Sequence, residues 1–431
     1  MRRFLPIAAL LAASATLAGA CGKANESQPG VGTKGDESEA GRQLGFPVFA
    51  TKNTTRVGGA DAVADAAAVA QAVYPGKGTL SRPSAVSLVD VRDWQAAVAA
   101  SVFMSRPLRA PVLYTDDGGV PGATQGALEA LSPTGSRPAG GAQVIRVGRA
   151  AEPDDVKSSD IEGNNPYAIA RSIDTFQTAA RGGKPSKTVV IASGERPEYA
   201  MPAAAWAAKS GDPVLFVSSR AVPPETRRAL MAHSQPRIYV LGPKSVIPDA
   251  VVRNLQRLGT VVRIAGADPV RNAVAFARYV DGAFGWGVVD PGHGLVFASD
   301  RRPLDAAAAA PLSSSGSYGP LLLVQGPTMP LALQQYLLDI QPGFDKDPVR
   351  GVYNRGWLIG DAEAIPEEVQ ARIDSLLEIV PVQKEQTPKS QGQDDREPGA
   401  APAPDRGAPQ RGPKSQPAPR GGGPGRSGGT D

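Results

Sequence analysis

Short runs of four to six apolar residues recur along the chain without polar alternation, among them TVVIAS, PVLFV, RIYVL and TVVRI between residues 188 and 264. A strand apolar at every position is covered on both faces, as in a parallel sheet flanked by helices. Between these runs lie stretches of helical character, the Ala-rich PEYAMPAAAWAAKS, then PPETRRALMAHS and VVRNLQRLG. Strands alternating with helices at this spacing predict a parallel sheet built from βαβ units with right-handed crossovers. The stretch from Thr188 to Gly266 carries such a unit complete.

The same succession occurs three times. PVLF (Pro213–Phe216) has counterparts in PVLY (Pro111–Tyr114) and PLLL (Pro320–Leu323), roughly a hundred residues apart on either side, a domain-sized period too long for a solenoid. Ahead of each lies a strand with an Ala-rich helix after it, in AVSLVDVRDWQAAVAAS, VVIASGERPEYAMPAAAWAA and LVFASDRRPLDAAAAAPL. After each comes an apolar strand ending in Gly148, Gly242 or Gly360, and at the heads of the copies stand TRVGGAD, DIEGNN and VRIAGAD. The expectation is an α/β protein of three similar modules, each a small parallel sheet with helices on both faces, at residues 46–150, 151–262 and 263–382. A proline just at the start of each PVL-type strand is tolerated because that residue need not donate to the ladder. DGAFGWGVVDPGHG and QPGFDKDPVRGVYNRG in the third copy read as long insertions, functional or mobile.

The ends have another composition. Arg2 and Arg3 precede the apolar run FLPIAALLAASATLAG and small residues before Cys21, the layout of a secretory signal over residues 1–20 and too short for a membrane span with its own flanks. LAGAC resembles the lipobox of bacterial lipoproteins. The resemblance implies that Cys21 receives diacylglycerol and palmitate and holds the mature chain on the extracytoplasmic face of a membrane, where several acyl chains anchor stably. The other reading is an ordinary signal peptide cleaved near Ala20. Residues 21–45 are polar and Gly-rich, a flexible stalk, and 383–431 form a Pro/Gly/Arg-rich tail too poor in apolar residues to fold. The net charge of +4 over 431 residues does not indicate a nucleic-acid binder.

Candidate chemistry is sparse. The single cysteine excludes an intramolecular disulfide, and the two histidines, His233 and His293, fall at non-equivalent places, which speaks against a metal or catalytic pair. His233 reads as a surface residue at a helix end. No G-x-G-x-x-G, no G-x-x-x-x-G-K-[ST] and no G-x-S-x-G is present, so neither a nucleotide cofactor nor a nucleophile elbow is indicated. What recurs is a polar cluster after the first core strand of each copy: Asp90, Arg92 and Asp93; Ser193, Glu195 and Arg196; Ser299, Asp300, Arg301 and Arg302. Open α/β sheets place ligands at these carboxyl ends. Asp and Ser there also suit helix capping, whereas a helix N-terminus does not favour arginine, and a guanidinium can hold a carboxylate or phosphate through two parallel hydrogen bonds.

RIAGAD at the head, ASG closing the first strand, then PVLF, PPET and VLGPKSVI make the pattern similar to the type 2 cell wall-binding repeat of bacterial surface proteins. The resemblance spans about residues 46–382 and is clearest in the second copy. It implies three α/β modules packed compactly as a pseudo-threefold unit that holds an anionic wall polymer or a peptidoglycan-associated glycan without catalysis. The head arginine is Arg56 in the first copy and Arg263 in the third, with Ile161-Glu162 at that place in the second. The residues expected to meet the polymer are Arg56, Arg92, Arg196, Arg263, Arg301 and Arg302. A solute-binding lipoprotein of an importer is the alternative, and it predicts two lobes with a hinge. An envelope hydrolase would need a titratable dyad, for which Asp90 or Asp300 could serve.

Overall fold

The computed structural model describes residues 48–382 apart from 77, 79, 80 and 315–318. Cys21, the signal and stalk segments and the C-terminal tail therefore lie outside the described residues.

The first copy runs β1 (Val48–Ala50), β2 (Thr54–Val57), α1 (Ala62–Val73), β3 (Val86–Asp90), α2 (Trp94–Ala100) with a 3-10 turn over Ser101–Met104, β4 (Val112–Thr115), α3 (Gly122–Leu131) and β5 (Val144–Val147). The second runs β6 (Ser158–Ile161), α4 (Pro166–Ala180), β7 (Thr188–Ser193), α5 (Pro197–Ser210), β8 (Val214–Val217), α6 (Pro224–Ala232), β9 (Arg237–Leu241) and α7 (Asp249–Leu255). The third holds β10 (Thr260–Ile264), α8 (Pro269–Arg278), β11 (Val280–Asp281), β12 (Phe284–Gly285), β13 (Gly294–Ser299), α9 (Asp305–Ser314), β14 (Leu321–Val324), α10 (Leu331–Asp339), β15 (Gly343–Phe344), β16 (Arg355–Ile359), α11 (Glu367–Leu377) and β17 (Val380–Pro381). Strands β3, β4, β8, β13 and β14 are buried at every position, as runs without alternation require. The expected prolines sit one residue ahead of their strands. There Pro111, Pro213 and Pro320 use their carbonyls instead, accepting from the amides of Ser87, Val190 and Val296.

Beside the two-stranded pairs β11–β12 and β15–β17, three larger sheets form, in the orders β4-β3-β5-β6, β8-β7-β9-β10 and β14-β13-β16-β2-β1, each parallel throughout except for the β1–β2 hairpin. The strand at the head of each copy thus completes the sheet of the copy before it. β6 pairs with β5, β10 with β9, and β2, from the beginning of the described chain, pairs with β16 near its end. Each head helix then crosses over and packs on its own copy, α1 on β4, α4 on β8 and α8 on β14.

The Ala-rich helices α2, α5 and α9, equivalent in the three copies, pack against one another at the centre. Ala96–Ala100, Ala203–Ala205 and Ala306–Ala310 are all fully buried. Alanine is the residue that permits this, because its small side chain lets three helix backbones approach at little entropic cost. The insertion around Phe284 is packing material, since its ring stacks on Tyr239 of β9 with centroids 3.5 Å apart. The later insertion instead leaves Val349 and Tyr353 exposed beside the β15–β17 pair.

Candidate functional sites at the strand carboxyl ends

In each sheet the first and third strands of the copy lie side by side while their connections depart to opposite sides, so a crevice opens beyond their carboxyl ends. The loop leaving the first strand is held the same way in all three. Asp90 Oδ1, Ser193 Oγ and Ser299 Oγ accept from the amide two residues on, at 2.9, 3.1 and 3.4 Å. Neither Asp93 nor Arg196 caps the helix that follows it. Caps come from the head motifs, where Asp61, Asn165 and Asp268 accept from the amides of Ala64, Ala168 and Arg271. The head glycine is needed at that entry, because a Cβ on Gly266 would stand 2.2 Å from the backbone of Arg271 and Asn272.

The crevice of the first sheet is a cavity of about 770 Å³ lined by Gln95, Asp93, Arg149, Glu162, Asn164 and Asn165. Arg149 holds Asp93 through two hydrogen bonds of 3.0 and 2.6 Å, and Gln95 donates to Gly194 O of the second copy. Amides and a closed ion pair give this wall hydrogen-bonding capacity without a positive field. The crevice of the third sheet, about 560 Å³, is lined by Asp61, Trp94, Arg301, Arg302, Asp305 and Glu363. Three carboxylates and two guanidinium groups again leave no excess of positive charge. In the second copy Tyr199 donates to Ala267 O, with Arg196 5.4 Å from its ring centre.

The six arginines expected to meet a polymer divide into two groups. Arg56, 9% exposed, donates to Gly360 O (3.0 Å), Ile365 O (2.7 Å) and Gln370 Oε1 (2.9 Å). Arg263 makes the same clamp one copy earlier, to Gly242 O (2.7 Å) and Ile247 O (2.8 Å). Both fasten a head strand to the last turn of the preceding copy, so their donors are committed to the fold. In the second copy the equivalent position is Asp160, one residue before Ile161-Glu162, and it takes two 2.8 Å bonds from Arg146. Arg302 is also committed, bridging Asp65, Asp305 and Asp361 between the third and first copies. Arg92 and Arg196 lie on the surface, Arg92 on Asp90 and Asp117, Arg196 on Glu198. Arg301 is exposed and forms no ion pair or side-chain hydrogen bond among the described residues.

Burial raises Asp65 to about 8 and Asp305 to about 6; the Asp305 charge adds to the rise of Asp65, the hydrogen bond with Asp65 tempers that of Asp305, and Arg302 opposes both. This is the titratable pair that Asp90 and Asp300 do not make, and both of its members are fully buried. Asp90 is held below its ordinary range by the Arg92 hydrogen bonds. His233 ends its helix as expected, but it is buried, 7% exposed, against Asp174 (2.8 Å) and Ser186 O (2.7 Å). Burial alone would lower its pKa, and these two partners outweigh burial and raise it. No group of His, Cys, Asp or Glu among the described residues is placed to hold a metal ion, and no described helix is long and apolar enough to cross a membrane.

Residues 161–252 match cell wall binding domain 2 (CWB2). Solved structures share the fold, two from Clostridium difficile among them. Cwp6 from Clostridium difficile is 16% identical with a TM-score of 0.57, over 75% of this chain and 48% of that one. Cwp8 from Clostridium difficile is 17% identical with a TM-score of 0.57, over 76% of this chain and 52% of that one. The chain thus spans about half the length of either protein. Among curated proteins no sequence matches it.

Proposed function

We propose that this is a non-catalytic, lipid-anchored protein of the bacterial cell envelope whose three copies bind a glycan or anionic component of the cell wall. The observation that carries the reading is the match of residues 161–252 to a wall-binding repeat, within a chain that builds that unit three times. The amide-lined crevice of the first sheet suits sugar hydroxyls, which exchange hydrogen bonds with Asn and Gln in both directions. Of the arginines, Arg301, Arg196 and Arg92 form the contact set, and Arg56, Arg263 and Arg302 leave it because they hold the copies together. The anchor rests on Cys21 alone. An importer's binding protein closes about a hinge between two lobes, whereas here three sheets interlock through strands passed from copy to copy.

The test is retention of the soluble chain lacking Cys21 on purified wall material across a salt series. Retention at low salt is expected, with Arg301→Gln weakening it by a few-fold. No retention at low salt would remove the wall-binding reading, and retention that salt leaves unchanged would remove its electrostatic part.

A further inference from the structure

The three central helices converge at their other ends as well. The 3-10 turn after α2, the last turn of α5 and the last turn of α9 surround a cavity of about 640 Å³, whose lining includes Ser105, Lys209 and Ser314, one from each copy. Helix α5 rises about 1.5 Å per residue, which puts this cavity about 20 Å from the strand-end crevices. Arg106, Arg109, Arg181 and Lys209 line it, and among the described residues no carboxylate does. That lining differs from the strand-end crevices, which hold Asp93 and Glu162 in the first sheet and Asp61, Asp305 and Glu363 in the third. Arg106, Arg109 and Arg181 form no ion pair among the described residues.

A cation at a helix C-terminus complements the dipole, which accounts for Lys209 in the last turn of α5. It does not account for Arg106 and Arg109, which lie on the loop between the central helix and β4. Arg109 is held at φ 51°, a left-handed conformation that costs a non-glycine residue energy, and its guanidinium stands 5.6 Å from the Tyr74 ring. Arg181 is steadied by its bond to Gly211 O (3.0 Å), and Lys209 lies 4.8 and 4.6 Å from the rings of Trp206 and Trp286. Four exposed like charges around one concavity repel one another and focus a positive potential into it, and an oxyanion seated there relieves the repulsion. Guanidinium forks match phosphoryl oxygens two at a time.

We infer that this axial cavity is a binding site for a phosphoryl group carrying two or more negative charges, with Arg106, Arg109, Arg181 and Lys209 as its ligands. The site is separate from the strand-end crevices and stands apart from the wall-binding reading. Its volume, within the ~300–1,000 Å³ of ligand cavities, admits the phosphoryl group together with what bears it. The bearer is either a phosphate-substituted polymer or a small phosphorylated solute.

The experiment is isothermal titration of the full chain with inorganic pyrophosphate at low and high salt, followed by competition with a polyglycerol phosphate. One pyrophosphate per chain is expected, with a salt-sensitive affinity and a higher melting temperature for the complex. Arg106→Gln/Arg109→Gln should weaken binding at least about tenfold, and Arg301→Gln, at the far end of the helices, should leave it unchanged. If the double variant melts early, Arg181→Gln takes its place. Displacement by the polymer identifies a polymer substituent as the bearer, and pyrophosphate binding without displacement identifies a small solute. Absence of binding at low salt, equal affinity in the arginine variants, or an equal loss in Arg301→Gln would overturn the inference. Wall retention without pyrophosphate binding would overturn this site alone and leave the wall-binding reading standing.

Discussion

Where side chains of one type serve opposite ends, it is burial that separates them. Arg301 and Arg302 are neighbours, and one reaches solvent while the other lies between three carboxylates. The Asp65–Asp305 pair beside Arg302 has one compensating cation close at hand for two buried acids, so it keeps a proton well above the ordinary carboxylate range. An acid whose folded pKa is raised contributes stability that is complete below the unfolded value near 4 and is lost as pH rises through the folded one. The window here runs from about pH 4 to about pH 8. Thermal unfolding should therefore show a melting temperature that falls between pH 5 and pH 8. In Asp305→Asn an amide replaces the protonated acid and leaves Asp65 to Arg302, so that decline should flatten and the variant should melt above the parent at pH 8. An unchanged pH slope in the variant would show that the pair does not carry the dependence.

At the level of single elements, strands, central helices and the threefold succession were legible, because apolar runs such as PVLF and the Ala-rich segments report their own burial. The partner of a strand was not. TTRV, SSDI and TVVRI look like openings of the copies they precede, and only the pairing of β2 with β16, β6 with β5 and β10 with β9 shows that each closes the copy before. For the same reason Arg56 and Arg263 read as ligand arginines, since a guanidinium that clamps carbonyls looks no different in sequence from one that waits for an anion. The axial arginines left a partial signal. Arg106 and Arg109 stand on the loop ahead of PVLY and Lys209 in the last helical turn ahead of PVLF, but Arg181 joins them from the end of another helix. The clamp role has a measurable consequence. Arg263→Met leaves Gly242 O and Ile247 O without their donor and should cost about 2 kcal/mol in denaturant unfolding with the slope unchanged. Arg263→Lys should recover little of it, because one ammonium cannot reach both carbonyls with the fork's geometry. Wall retention should be the same in both variants, and a selective loss of retention with stability intact would return Arg263 to the contact set.

For residues 48–382 as one body, the passing of strands makes the order of the chain cyclic, with copy one completing copy three through β2. That junction is fastened beyond the sheet. Asp374 Oδ1 accepts from the amides of Asn53 (2.7 Å) and Thr54 (3.0 Å), and Glu378 takes Lys52 at 2.6 Å and Asn53 at 2.8 Å. Removing everything through Val57 would strip one edge of β16, leaving the amides of Gly356 and Gly360 without the carbonyls of Asn53 and Val57, and would orphan the carbonyls that Arg56 holds. An exposed parallel edge is also a template for pairing with other chains. Hydrogen exchange on the truncated chain should accordingly show Gly356 and Gly360 unprotected and β13 weakened. Val190 and Ile191 of the second sheet, which owes none of its strands to the deleted segment, should stay protected. Equal protection of Gly356 in the truncated and full chains would mean that the third sheet does not depend on the first copy's strand, and that the ring closes through helix packing alone.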